Sequence, residues 1–291
     1  MDWSHIVANE RPKDDRDIQL GSVFAPAAIP ASFIPDLSWF IRNFQGKTFF
    51  CGEHAGTHLK AILDFNEVSS APAPWYTPRY GAIKLKDPKS PVCDGFAINA
   101  GTDMRSIFKW LEKVGADTFQ PLENDVALPA ATYCDPSAVT PAMDANAATS
   151  MIASYGFGAT DYASLCQYIY QSKAVLLLIK CDDGFWGTTT PTFTTPIYGH
   201  FIVAFGYDET GIYVLDSAEP NDALAIKHIA RSYITPTFIL ESGTAVDIPP
   251  SVKQIATTPE LTPEQKTSLI QTILGDIEQA VGLIKQELGS I

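Results

Sequence analysis

The spacing of apolar residues predicts three helices in the first part of the chain. One begins at or near Cys51, and no proline follows before Phe65. A second has Thr102 or Asp103 as its N-terminal cap and Gly115 as its stop. A third covers about Thr160 to Gln171. Their apolar faces consist of Ala55, Leu59, Ile62 and Leu63, of Met104, Ile107, Phe108, Leu111 and Val114, and of Leu165 and Ile169.

The pattern then changes to one that is typical of strands. Lys173 to Cys181 is almost continuously apolar, which predicts a buried strand. The segments FIVAFGYD and GIYVLDS, separated only by Glu209 and Thr210, predict a β-hairpin. Residues 66–100 instead contain frequent proline and glycine, and we expect an irregular, loop-rich crossing there. Helices first and strands later predict an α+β fold.

The two ends of the chain differ from its middle. Residues 1–35 are rich in proline, alanine and charge without a period, which predicts an N-terminal arm laid over a domain of residues 36–245. Residues 246–261 are polar and proline-rich, as expected of a linker. A capping box that opens with Thr262 predicts a C-terminal amphipathic helix over 262–291. Its apolar stripe needs a surface to cover it, which makes a protein partner for this helix a hypothesis.

Composition limits the classes of function. The chain has 291 residues, of which 46% are hydrophobic, enough for one large folded domain with appendages. With 20 basic and 33 acidic residues the net charge is −13, and nucleic acid is therefore not an expected partner. The longest apolar run, Ala174 to Ile179, is far too short for a membrane span. The charged start lacks a secretory signal, so we expect a cytoplasmic protein or one packaged in a particle.

One of the five cysteines stands in a place that suits chemistry. The cysteines are widely spaced and odd in number, which does not indicate a disulfide scaffold, although an odd cysteine can be a reactive thiol. Cys51 opens a helix, where unpaired amides and the helix dipole lower the pKa of a thiol. Gln45 lies six residues earlier, and its side-chain amide could donate to an oxyanion beside the amide of Cys51.

The predicted hairpin supplies the other parts that a thiol hydrolase needs. His200 starts one hairpin strand and Asp216 ends the next, so the hairpin brings them side by side. Asp216 could then accept from the imidazole and fix its tautomer. A nucleophile, a base, an orienting group for the base and oxyanion donors are the four requirements for amide hydrolysis by a thiol. Cys51, His200, Asp216 and Gln45 are the candidates for these roles.

These residues resemble the papain-like cysteine peptidases. In that family a Gln-Gly pair precedes the nucleophile by six residues, and the nucleophile opens a long helix, as Gln45 and Cys51 do. The separation of His200 from Cys51 also fits the family. The Gly-Tyr pair at 206–207 and Asp216 follow His200 at the expected distances. The lead-in RDIQLGSVFAPAAIP is similar to prokaryotic members, which suggests a bacterial or phage-type chain. Carriage on a virion or another large assembly is a separate hypothesis.

The resemblance implies a papain-like two-lobed fold, a cleft, a protein or peptide substrate, and an acyl-enzyme without a cofactor or metal. It also implies that Ala100 and Gly101 bind the substrate backbone, because NAGTDMRSIFKWLEKVG is similar to that segment of the family. Three positions depart from the family pattern. Gly52 stands where tryptophan usually follows the nucleophile, Asp216 stands where asparagine is usual, and the tryptophan that usually shields the orienting residue is replaced near Ala218.

Three alternatives remain open from the sequence. The chain could be a catalytically silent structural or interaction protein that keeps the fold. It could use the same cysteine and histidine as a peptidoglycan amidase or transpeptidase. A zinc site is a third alternative, since Cys51, His54 and His58 lie close to one helix face.

Overall fold

A computed structural model gives the fold of the chain. The C-terminal helix predicted over 262–291 and residues 248–261 of the predicted linker lie outside the described residues, so both stay predictions, as does the division into domains. The described residues are 8–10, 14, 17–20, 28–67, 75–118, 122, 124–195 and 197–247.

Three of the helices are those expected from the sequence. The longest begins at Cys51, and the Asp103 side chain caps another by accepting from the amide of Ser106. No helix in the described part of the chain is long and apolar enough to cross a membrane. The helices are α1 (Cys51–Glu67), α2 (Pro78–Lys86), α3 (Met104–Lys113), α4 (Ala130–Tyr133), α5 (Pro141–Ala147), α6 (Tyr162–Ser172) and α7 (Asp222–Ala225).

The prediction of an irregular crossing over residues 66–100 is wrong at α2. Pro78 stands at the start of this helix, where its missing N–H costs nothing. Gly81 lies against the ring of Trp110, and a Cβ at this glycine would approach the ring to 2.5 Å. Residues that usually break helices therefore serve here as a helix start and as a site of close packing.

The strands form one antiparallel sheet in the order β1-β6-β2-β3-β4-β5. The buried strand and the hairpin agree with the predictions, whereas the first strand and the last two were not predicted. The strands are β1 (Ile152–Gly158), β2 (Val175–Cys181), β3 (Tyr198–Asp208), β4 (Gly211–Leu215), β5 (Ile226–Ala230) and β6 (Ile239–Asp247).

Apolar cores lie on both faces of this sheet. Alternate residues of β2, such as Leu176 and Leu177, belong to different clusters, which explains why the strand is apolar throughout. One cluster joins the sheet to α1 and α3, and the other joins it to α6. The result is the predicted α+β, two-lobed architecture, with α1 packed on β3.

Two segments that precede α1 are tied to the hairpin. Phe33 exchanges backbone hydrogen bonds of 2.8 and 2.9 Å with Tyr207 of β3, so this part of the arm lies on the domain. The amide of Gln45 donates to the carbonyl of Ser217 at 2.9 Å, just after β4. Arg42 donates to the carbonyls of Asp216 and Ser217 at 3.2 and 3.3 Å. The start of α1 is therefore held near the end of β4.

Candidate active site

Cys51 is the first residue of α1 and is buried against β3. Only 1% of its surface is exposed, and its sulfur accepts a hydrogen bond from the amide of Phe201, the residue after His200. Gly52 is closely packed, since a Cβ there would lie 2.6 Å from Thr102 Cγ2. This contact explains why a glycine replaces the tryptophan that the family resemblance would place after the nucleophile.

The surroundings of Cys51 favour a neutral thiol. Burial raises its pKa to about 12, and the charge of Glu53 acts in the same direction. The amides of Phe201, Gly52 and Cys51 itself lower the pKa, but burial outweighs them. The expectation that the helix start lowers the pKa of this cysteine is therefore wrong for the buried thiol. A thiolate forms here only if a neighbouring base takes the proton.

His200 and Asp216 form a buried pair at the open end of the hairpin. Nε2 of His200 lies 2.8 Å from Oδ1 of Asp216, and neither side chain has exposed surface. The Asp216 amide donates to the carbonyl of Ala225 at 2.9 Å, and the amide of Ala218 donates to Oδ1 at 2.8 Å. Because the carboxylate is an acceptor, it selects the tautomer with the proton on Nε2. Nδ1 then presents a lone pair, and no group in the described residues bonds to it.

The charge of Asp216 is well compensated. Burial alone would raise its pKa, but the His200 hydrogen bond, the charges of His200 and Lys227 and the Ala218 amide together hold it below its ordinary value. Asp216 is therefore ionised at neutral pH and stabilises a proton on the imidazole.

Two aromatic rings cover this pair. The ring centroid of Trp186 lies 5.3 Å from that of His200, and the centroid of Phe185 lies 6.0 Å away. The loop that carries them is folded by Asp182, which accepts from the amides of Gly184 and Thr194 at 3.0 and 2.6 Å. The family pattern places a shielding tryptophan near Ala218, and in this chain aromatic residues from a segment before His200 take that place. The Phe-Trp pair between β2 and β3 was the sequence signal for them.

Gln45 is fully buried and fixed in orientation. Its Oε1 accepts from the hydroxyl of Ser217 at 2.7 Å, which leaves Nε2 as the donor end of the amide. The next residue, Gly46, has a φ of +57°, and a Cβ there would lie 2.6 Å from Val126. This turn carries the chain from Gln45 to the start of α1.

Ala100 and Gly101 offer backbone groups to an extended segment. The φ of Gly101 is +69°, and its carbonyl accepts from Lys86, whose ammonium also pairs with Asp94 at 2.7 Å. Asn9 of the arm donates from its amide to Thr102 O at 3.0 Å and from Nδ2 to Ala100 O at 2.7 Å.

The same part of the arm reaches the strand that carries the base. The carbonyl oxygen of Ala8 lies close enough to Gly199 to meet a Cβ there at 2.8 Å. Gly199 directly precedes His200 in β3. Ala8 and Asn9 therefore lie between the backbone of residues 100–102 and Gly199, the residue next to the candidate base.

The two histidines of the zinc alternative are bonded within the protein. Nδ1 of His54 lies 2.8 Å from the carbonyl of Phe50, and Asn124 lies 3.2 Å from its Nε2. Nε2 of His58 accepts from the amide of Asn43 at 3.0 Å. Burial lowers the pKa of His54 to about 4 and also lowers that of His58, so both rings are neutral. Within the described residues no cluster of three or more candidate ligands could hold a metal ion.

Comparison with known proteins finds similarity only among solved structures. No protein-family model matches the chain. No curated protein matches it either. Xylellain, a cysteine protease from Xylella fastidiosa, is 15% identical with a TM-score of 0.69, over 84% of this chain and 97% of that one.

Two further structures show the same likeness. The cysteine protease CMS1MS2 of Carica candamarcensis, in complex with E-64, is 13% identical with a TM-score of 0.56, over 75% of this chain and 99% of that one. Digestive procathepsin L 3 of Tenebrio molitor larval midgut is 14% identical with a TM-score of 0.56, over 79% of this chain and 74% of that one. The similarity at these identities concerns the course of the backbone.

Proposed function

We propose that this chain, which has the papain-like fold, is a cysteine peptidase that hydrolyses peptide bonds through an acyl-enzyme on Cys51. The observation that carries the proposal is the buried His200–Asp216 pair, with 2.8 Å between Nε2 and Oδ1, beside the strand residue whose amide donates to the Cys51 sulfur. A base, an orienting carboxylate and a helix-start cysteine with these relations form the machinery of thiol hydrolysis. The fold alone would not be sufficient evidence.

The first half of the reaction forms the acyl-enzyme. Nδ1 of His200 takes the thiol proton while the sulfur attacks the carbonyl carbon, which forms the C–S bond and moves the carbonyl π electrons onto oxygen. Nε2 of Gln45 and the amide of Cys51 donate to this oxyanion. When the oxyanion collapses, the C–N bond breaks and the imidazolium gives its proton to the leaving amine. Asp216 stabilises the imidazolium throughout this half of the reaction.

The second half releases the product. A water molecule gives a proton to Nδ1 of His200 and attacks the thioester carbonyl. The C–S bond then breaks, and the proton returns to the sulfur. The neutral resting thiol that burial imposes on Cys51 is consistent with this cycle, because the charged pair forms only when the base is engaged.

The contacts of the arm indicate how a peptide would lie. Asn9 bonds to the carbonyls of Ala100 and Thr102 as an extended chain would, and Ala8 approaches the residue next to His200. A substrate in the same position would pair through its backbone with the carbonyls of residues 100–102. Protein or peptide substrates are therefore the expected class. Carriage on a virion and a partner for the C-terminal helix remain predictions.

Thiol labelling tests the proposal. The protein is treated with limiting iodoacetamide over a range of pH, and the modified cysteines are identified by mass spectrometry. Cys93 is exposed and free, so it is an internal reference thiol. We expect Cys51 to react at least about tenfold faster than Cys93 near neutral pH when Asn9→Pro releases the arm, and we expect the addition of His200→Ala to abolish that advantage. If Cys51 reacts no faster than Cys93 in either the native chain or Asn9→Pro, the peptidase proposal fails.

A catalytically silent protein is the second candidate, and the burial of Cys51 favours it. Unreactive Cys51 in both the native chain and a chain with the arm released would support this candidate. An amidase or transpeptidase would instead show reactive Cys51, no cleavage of casein and release of products from cell-wall fragments.

A further inference from the structure

A buried lysine lies behind the candidate orienting residue. Lys227 of β5 has no exposed side-chain surface, which lysines almost never show unless they are paired. Its ammonium donates to Glu219 Oε2 at 3.0 Å and to the carbonyl of Thr188 at 3.0 Å, and it lies 5.0 Å from the centroid of the Phe185 ring. These contacts fix the ammonium at a defined point in the interior.

That point faces the outer oxygen of Asp216. Oδ1 accepts both from His200 and from the amide of Ala218, each at 2.8 Å. Oδ2 forms no hydrogen bond within the described residues, and the ammonium of Lys227 lies 3.7 Å from it. The two carboxylate oxygens therefore have separate tasks, one toward the imidazole and one toward the cation.

The other groups around Asp216 do not replace this cation. Arg42 donates to the backbone carbonyl of Asp216 rather than to its carboxylate. Cys181 of β2 lies near enough for the charge of Asp216 to raise the pKa of its thiol, and it supplies no positive charge. Glu219 is itself an anion, held by Lys227 and by the Gly187 amide at 2.9 Å. Lys227 is thus the fixed cation that faces the buried carboxylate, besides the imidazole.

This arrangement compensates for the difference between aspartate and the asparagine that the family resemblance would place here. A buried carboxylate without a partner is costly and tends to take up a proton. With Lys227 beside it, a cation that it shares with Glu219, Asp216 can remain charged and oriented.

We propose that Lys227 is a positioning residue, which holds Asp216 ionised with Oδ1 toward His200. A role of Lys227 in catalysis rests on the proposed peptidase function, whereas its effect on the Asp216 carboxylate does not. Lys227 acts through Asp216 and not by contact with the Cys51 sulfur or the substrate.

The experiment compares Lys227→Met with the native full-length chain. The carboxyl ¹³C signal of Asp216 is titrated by NMR, with Asp216→Asn to assign it. We expect its midpoint to rise by about one pH unit, a tenfold change in proton affinity. The pH below which labelling of Cys51 by iodoacetamide declines should rise together with the Asp216 midpoint. The reason is that a protonated Asp216 no longer stabilises the imidazolium. Lys227→Arg, which keeps the charge, should restore most of both profiles.

Each outcome decides the question. An unchanged Asp216 midpoint in folded Lys227→Met overturns the inference, whatever the reactivity of Cys51. A raised midpoint together with a Cys51 that is slow in every chain supports the inference and refutes the peptidase function. If Lys227→Met does not fold, Lys227→Met combined with Glu219→Gln removes the buried ion pair as a unit. An upward shift is expected in that chain too, smaller because the Glu219 charge is removed with the cation, and its absence again overturns the inference.

Discussion

Glu53 makes the stability of the chain depend on pH. It is fully buried in α1, two residues after Cys51, and within the described part of the chain neither carboxyl oxygen has a hydrogen-bond partner. Burial raises its pKa from 4.5 to about 7, against the opposing charge of Lys86. The unfolded chain releases this proton near pH 4.5, while the folded chain retains it to about pH 7. The stabilising contribution is therefore complete below pH 4.5 and is lost as the pH rises through about 7.

The magnitude follows from the size of the shift. A change from 4.5 to about 7 makes folding less favourable by about 3 kcal/mol above pH 7 and by about 1 kcal/mol near pH 5. Replacing Glu53 with glutamine removes the titration. We therefore expect the decline in unfolding free energy between about pH 5 and pH 8 to be smaller by about 2 kcal/mol in Glu53→Gln.

Urea unfolding at both pH values, followed by tryptophan fluorescence, measures this difference. Glu209→Gln is the matched control, because Glu209 is exposed in the hairpin turn and should leave the difference unchanged. The charge of Glu53 also raises the pKa of Cys51, so the variant should label faster at alkaline pH. Equal losses of stability in the native chain and in Glu53→Gln would refute the reasoning about burial.

Three further substitutions test the site. Asn9→Pro removes both arm donors, worth about 2 kcal/mol together, and should raise kcat/KM on a peptide substrate by up to about thirtyfold, whereas Glu10→Gln should not. No change in Asn9→Pro would mean that the arm does not compete with substrate. Trp186→Ala admits water to the His200–Asp216 pair and should lower kcat/KM about tenfold, whereas Trp186→Phe should retain most of the activity. An unaltered kcat/KM in Trp186→Ala would contradict a shielding role. Asp216→Asn keeps an acceptor but loses the charge, so the alkaline limb of the kcat/KM profile should fall by about one pH unit, and an unmoved limb would count against Asp216 as the partner of His200.

Locally encoded features could be predicted from the sequence. The start of α1 at Cys51 follows from its apolar face, and the hairpin follows from two strand segments separated by two residues. Once the hairpin exists, the proximity of His200 and Asp216 is a consequence of chain geometry. The four candidate site residues could therefore be predicted from the sequence, although they are scattered along the chain.

Features that depend on tertiary contacts could not be predicted. Strand β6 pairs with β1 and β2, both more than fifty residues earlier in the chain, and no local turn announces these pairings. In β5, Ile226 is exposed and the next residue, Lys227, is buried, the reverse of what the hydrophobicity of these two residues suggests, because Glu219 receives the ammonium inside. The high pKa of Cys51 likewise depends on its burial against β3, which helix position alone does not determine.

The hydrogen bonds that tie Gln45 and Arg42 to Asp216 and Ser217 have a mechanical consequence. They join the candidate oxyanion donor and the candidate orienting residue to each other along one edge of the site. Any motion of the chain that leaves these bonds intact therefore carries Gln45 and Asp216 together. The spacing between the candidate oxyanion donor and the candidate orienting residue then stays constant while other parts of the site move.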